Sequence, residues 1–420
     1  MTIFHNNALI GAAGQSTGSD AYQIEKSLRF EKSDSSTLSR TFSSAGNRQK
    51  FTVAFWAKLS KLDTYTAIFT AGSASTNDKF QIYWTENKFR VADGFSSVVM
   101  DIKVDRLSRD FSAWAHYVVA VDTTQSINTE RVKIYINGKL ETSFTTTNWP
   151  SEDANSNCNN SVIHWIGGRH DNARYFNGYV SDVFFIDGLQ LDAAAFGKFN
   201  SAGNWNPAEF LLPVPNDGST FSNGVTTDTG SFRADHGATT LFDGLFNIAC
   251  QSSSDSVGNW IKFTPASPIS FRRGVDVYQH GNTSVDYSWE LADGTLGYKT
   301  SGPRTSTTRW DQGVILGSGK LKWLKVTMTA AAEYSETSMI RIDGKILEDG
   351  ETDQTYTEWA AATSDNVNSF HLKFNNASDL GEDSLNSNDF TVNNLQTADT
   401  DWLVVPSSEV TGTTLRNNMF

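Results

Sequence analysis

In KFTVAFWAKLS, residues 50–60, apolar and polar positions alternate. Phe51, Val53, Phe55, Ala57 and Leu59 fall on one face; Thr52, Trp56, Lys58 and Ser60 fall on the other. That period of two is the signature of a half-buried strand. The rhythm recurs at short intervals from residue 27 to about 212, in SLRF, TLSRTF, WAHYVVAVD and VIHWIGG. FQIYWTENKFRVADG predicts a hairpin turning at Glu86 and Asn87, and RVKIYINGKLE bends at Asn137-Gly138, a pair suited to a tight turn with two positive φ angles. In YFNGYVSDVFFIDG, strict alternation puts Val180, Asp182 and Phe184 on one face and Tyr179, Ser181, Val183 and Phe185 on the other. Asp182 then reads as a hydrogen-bonded carboxylate with a structural role.

About ten short strands without intervening helices predict two packed antiparallel sheets, an all-β jelly-roll sandwich. Residues 213–237 are rich in Pro, Gly, Ser, Thr and Asp and read as a linker. Residues 238–350 resume the strand pattern in WIKFTPASPISF, SVDYSWELADG, LKWLKVTMT and MIRIDGKIL. GVILGSGKLK, residues 313–322, has the wrong glycine spacing for a phosphate loop, with Leu321 where Ser or Thr should stand, and reads as a hairpin turn. Residues 1–26 carry the apolar knot ALIGAAG and too little else to bury a core.

Charge narrows the function classes. A net charge of −13 and the lack of a basic stripe argue against nucleic acid as a partner. No run reaches the ~18 apolar residues of a membrane span. The opening residues lack a basic n-region, so the sequence predicts synthesis in a cytosol. Cys158 and Cys250 stand far apart and read as free thiols. The seven histidines form no His-x3-His pair, and there is no Gly-x-Ser-x-Gly elbow, so no catalytic or metal-ligating set emerges.

The order SLRF, TLSRTFSSAGNR, KFTVAFWAKLS, WAHYVVAVD, RVKIYINGKLE and YFNGYVSDVFFIDG, followed by LDAAAFGKFN and Trp205, resembles the concanavalin A-like lectin/glucanase superfamily in its laminin-G and pentraxin branch. More narrowly, it resembles bacteriophage virion proteins carrying this sandwich. LFDG and IRIDGKIL resemble smaller galactose-binding-like modules. The resemblance implies an anchoring arm at 1–26, a concanavalin A-like jelly roll at 27–212, a linker at 213–237, a galactose-binding-like β-sandwich at 238–350, and a segment at 351–420 returning to the first sandwich. The Glu-x-Asp-x-x-Glu triplet of the glucanase branch is missing, and glycoside hydrolysis needs two placed carboxylates. A non-enzymatic protein is expected.

The implied function is that of a phage virion structural protein, a tail fibre or tail-tip component that binds host-surface glycan during adsorption. The alternative is a capsid decoration or head-fibre protein without specific sugar binding. The implied partners are other virion proteins, met through the arm, and host-surface glycan; a homo-oligomer, such as a trimer, is expected, with no membrane insertion. The location is the virion, assembled in the host cytoplasm. Candidate ligand residues are aromatic and polar groups: Trp149, Arg169, His170 and Asn172 in loops of the first sandwich, and Trp289, Tyr298, Arg304 and Trp310 in loops or at strand ends of the second. Calcium is left open by the branch, but HDNAR and PSEDANSN supply no complete set of the six to eight oxygens it takes.

Overall fold

The computed structural model describes residues 22–62, 64–72, 79–94, 99–111, 113–169, 174–200, 202–212, 214–246, 248–254, 256–280, 284–301, 308–329, 336–353 and 367–402. These residues hold strands and short 3-10 turns, with no α-helix among them. The chain divides into two compact units, residues 1–191 with 357–420, and residues 192–356. The proposed anchoring arm lies almost wholly outside the described residues.

Two antiparallel sheets build the first unit. One runs in the order Lys139–Leu140, Val132–Ile136, Trp114–Asp122, Lys50–Leu59, Gly178–Asp187, Lys26–Phe30 and Thr400–Trp402, with Phe370–Leu372 also paired to Gly178–Asp187. The other runs Phe144–Asn148, Met100–Leu107, Lys88–Asp93, Lys79–Thr85, Tyr65–Gly72, Ile163–Ile166, Thr37–Thr41 and Thr391–Asn393. Between them lie Phe51, Val53, Phe55, Ala57 and Leu59 from one sheet and Phe80, Ile82, Trp84, Val91 and Ile102 from the other. Burying each large apolar side chain is worth about 2 kcal/mol, and a one-residue slip would expose a whole face, so register is strongly held. The opposite face of the 50–59 strand is covered as well: Trp56 is buried, its ring 5.0 Å from that of His116.

The 178–187 strand departs from strict alternation. Its register against the 50–59 strand shifts between Ser181 and Phe184, and Asp182 has φ +51°. This β-bulge inserts one residue and reverses the phase of everything after it. Val180 therefore shares the core with Val183 and Phe185, not a face with Asp182 and Phe184.

The second unit has one sheet in the order Val225–Thr227, Trp260–Phe263, Gly319–Met328, Val285–Leu291 and Leu296–Thr300, with Ile269–Phe271 also on Gly319–Met328. Another runs Thr308–Leu316, Gly274–His280, Thr337–Ile342 and Lys345–Ile346, and Gly197–Phe199 pairs with Trp205–Pro207. Ile261, Phe263, Tyr287, Leu324 and Val326 meet Val275, Val277, Ile340 and Ile342 in its core. Two expectations change here. The stretch 213–237 is not merely a connection, because Val225–Thr227 pairs with Trp260–Phe263 and Phe221 and Val225 are buried in this core. Gly317 and Ser318 do not turn a hairpin, because the strands before and after them lie in different sheets.

Candidate functional site

The residues singled out from sequence differ in their surroundings where they are described. Trp149 is half-buried against the first core, edge-on to Phe144 at 5.4 Å. Arg169 is half-buried, while His170, Asn172 and Arg304 lie outside the described residues. Trp289 faces inward onto the second core, under Gly297, where an added Cβ would meet its ring at 2.1 Å. Trp310 is packed between the Arg341 guanidinium, 4.0 Å from its ring centroid, and Tyr278. Both tryptophans are thus part of the fabric of the unit rather than open platforms. Tyr298 differs: it is 62% exposed, and its hydroxyl donates to the Asp286 carboxylate.

Tyr298 belongs to a wider surface whose other members the sequence reading did not single out. Along Trp260–Phe263, Ile261 and Phe263 enter the core, leaving Trp260 and Lys262 on the outer side. Along Gly319–Met328, Leu324 and Val326 point inward, leaving Trp323, Lys325 and Thr327 outside. Val285 and Tyr287 likewise turn Asp286, Ser288 and Glu290 outward. Pairing aligns these residues in rows. Trp260, Thr327, Asp286 and Thr300 form one; Lys262, Lys325, Ser288 and Tyr298 form the next; Trp323, Glu290 and Leu296 form the third. With strands about 4.8 Å apart and alternate residues about 6.8 Å apart, Trp260, Trp323 and Tyr298 stand roughly 12–16 Å from one another.

Polar contacts hold this face in place. The Trp323 indole N–H donates to Glu290 at 2.7 Å, and the Lys322 ammonium reaches the other Glu290 oxygen at 2.6 Å. The Lys322 bond and then the Trp323 bond hold the Glu290 carboxyl below its ordinary range. Lys322 comes to this side because the register shifts between Glu290 and Leu291. The Lys262 ammonium lies 4.4 Å from the Trp323 ring centroid, and that of Lys325 lies 6.0 Å from the Trp260 centroid, within reach of cation–π attraction. The arrangement offers apolar rings for stacking, with donors and acceptors between them. A signal existed in the sequence: in WIKF and LKWLK, tryptophan stands in phase with lysine, on the polar beat of the strand.

Acids of the first unit are occupied differently. Asp182 accepts from Tyr22 Oη at 3.0 Å and from His371 Nε2. It borders a pocket of about 160 Å³ with Tyr22, Glu25, Lys373 and Asn375. Asp93 accepts from Ser156 Oγ and from the backbone and side chain of Asn157. Asp187 accepts from the backbone N–H groups of Asn47 and Asn368 and from the Asn159 amide. Burial drives the His116 and His164 imidazoles down to about 3, so both are neutral. Glu152, in the loop considered for calcium, is paired with Arg131 at 3.0 Å. Among the described residues no three His, Cys, Asp or Glu side chains gather as a metal site.

Residues 30–193 match the family model of the Concanavalin A-like lectin/glucanases superfamily. No curated protein matches the sequence. Among solved structures, the chain is similar to domains LG4-5 of the mouse laminin alpha1 chain, at 10% identity over 77% of this chain and 89% of that one, with a TM-score of 0.30. The next is a native heptameric SAP-like pentraxin from Limulus polyphemus, at 15% identity over 39% of this chain and 77% of that one, with a TM-score of 0.29. A third is the family 32 CBM from C. perfringens NanJ in complex with galactose, at 11% identity over 30% and 96%, with a TM-score of 0.23. Over residues 30–193 the chain is similar to that superfamily, and its two antiparallel sheets have the concanavalin A-like, laminin G-type jelly-roll fold.

Proposed function

We propose that the chain is a non-enzymatic glycan-binding protein whose sugar contacts lie on the outer face of the sheet containing Trp260, Trp323 and Tyr298. The observation that carries this reading is the placement of three aromatic side chains on one solvent-facing sheet, with Ser288, Asp286 and the lysines between them. Sugar rings present apolar C–H faces and radial hydroxyls, which match such a mixture of rings and polar groups. Single sites of this open kind are weak, and several copies on one particle raise the avidity. The non-enzymatic reading is supported by the structural bonds that occupy Asp93, Asp182 and Asp187.

The finer reading is a phage virion component at the tail, anchored through residues 1–26 and meeting host glycan during adsorption; it is supported by the motif series SLRF to YFNGYVSDVFFIDG. Glycan-array binding by the whole chain, compared with Trp260→Ala and Trp323→Ala, tests the sugar reading; equal signal from all three overturns this site. Immunogold microscopy of intact virions with antibody to residues 238–350 tests the location. Label at the tail supports adsorption, and label spread over the head favours capsid decoration.

A further inference from the structure

We infer that the same face selects an acidic polysaccharide, one bearing uronate or sulfate groups, over neutral glycan; the inference rests on the sugar-binding reading above. Its two central lysines carry the argument. Lys262 and Lys325 are cross-strand partners in the middle row, with Trp323 and Trp260 respectively near their ammonium groups. Neither lysine makes an ion pair among the described residues, whereas Glu290 is paired with Lys322 and bonded by Trp323, and Asp286 accepts from Tyr298 through one oxygen. On a chain of net charge −13, this leaves two adjacent cations outside any direct ion pair, with Lys262 felt by the Glu290 carboxyl only at longer range, and two aromatic rings beside them.

An anionic group entering between the rings would complete those cations while its sugar stacks on the indoles. The rings hold the ammonium groups near the sheet, so little side-chain freedom is lost on binding. Single-stranded nucleic acid also uses aromatic rings and lysines, but it needs a positive groove along every phosphate. Here Asp286 and Glu290 flank the lysine pair, which suits a polymer whose charges are spaced along neutral hydroxylated stretches.

The test uses the full chain and an array of paired oligosaccharides: oligogalacturonate beside its methyl ester, and sulfated beside unsulfated galactan. A Lys262→Gln/Lys325→Gln variant removes the charge and keeps a polar end on a side chain one atom shorter. The expected result is preference for each acidic member, weakening as salt is raised, with about a tenfold loss of that affinity in the variant and a smaller loss for the neutral members, so that the preference disappears. Equal binding of acidic and neutral members, abolished by Trp323→Ala, overturns the selection for charge and leaves the sugar reading standing. Absence of binding to any glycan overturns both. Displacement of every glycan by a dT12 oligonucleotide overturns the inference in favour of nucleic acid.

Discussion

His371, on a strand from the C-terminal segment, donates through Nε2 to Oδ1 of Asp182, the left-handed residue in the bulge of the 178–187 strand. The bulge lies where that strand changes neighbours. Val180 pairs with Leu28 of the first strand, and Val183 pairs with Leu372 of the returning segment. Tyr22, just before the first strand, donates to the same carboxylate. One buried acid therefore ties the entry and the return of the chain to a central strand.

Asp182→Ala should destabilise the first unit by about 3 kcal/mol, because it strands the buried His371 donor, removes the bond of the half-buried Tyr22 hydroxyl and puts alanine at a positive φ. Urea unfolding of the full chain measures the loss. Hydrogen exchange should quicken first around residues 370–372, the strand that His371 belongs to. An unchanged midpoint and unchanged exchange there would mean the bond holds nothing.

Turns were legible in the sequence where the backbone demands a particular residue. Glu86 and Asn87 have φ +53° and +59°, and Asn137 and Gly138 have +50° and +74°, conformations that restrict the residue choice. The core face of the 50–59 strand was legible for a similar reason, since each apolar residue repeats the same instruction. The bulge at Asp182 was not, because one extra residue leaves no mark in composition, yet it inverts the face of all that follows. The face containing Trp260 and Trp323 was hidden for another reason. Those residues become neighbours only when Trp260–Phe263 pairs with Gly319–Met328, a long-range choice that local alternation does not contain.

Stability of the second unit should depend on pH in two windows. Asp276 is buried with Arg273 at 2.6 Å and Arg341 at 3.1 Å. Burial alone would raise its carboxyl, but the two guanidinium charges and the Gly313 N–H bring it from 3.8 to about 2. Its contribution is present above 3.8 and is lost as pH falls toward 2. Asp343 behaves oppositely: burial, then the Asp192 charge, lifts it from 3.8 to about 6, against the N–H groups of Arg272, Arg273 and Gly274. Its contribution is present below 3.8 and is lost as pH rises through about 6. Each effect is on the order of 2 kcal/mol. Asp343→Asn, tolerated at φ +49°, should flatten the decline of the urea midpoint between pH 4 and roughly 7. A slope identical to that of the unsubstituted chain would remove Asp343 from the explanation.

Both thiols should be silent toward alkylation in the native state. Cys158 and Cys250 are buried and unpaired. Burial raises the Cys158 thiol well above its ordinary value and pushes that of Cys250 up to about 12, so almost no thiolate exists at neutral pH. Iodoacetamide labelling followed by mass spectrometry should find neither residue modified until denaturant is added. Rapid native labelling of either would show that its unit opens far more readily than its core implies.

Two tryptophans near one another in the second unit should respond to the same substitution in opposite ways. Trp289 projects inward beneath Gly297 and packs on the core. Trp289→Ala removes that packing and should cost about 3 kcal/mol, with sugar retention falling only as far as unfolded protein accumulates. Trp323 projects to solvent, where it loses one bond to Glu290 and its contact with Lys262. Its replacement by alanine should cost about 1 kcal/mol or less, while retention on glycan falls sharply in protein that remains fully folded. Paired urea unfolding and glycan-array measurements on the two variants separate the cases. If Trp323→Ala instead lost stability as Trp289→Ala does and kept its sugar binding per folded molecule, the outer face would be mere support and the site would lie elsewhere.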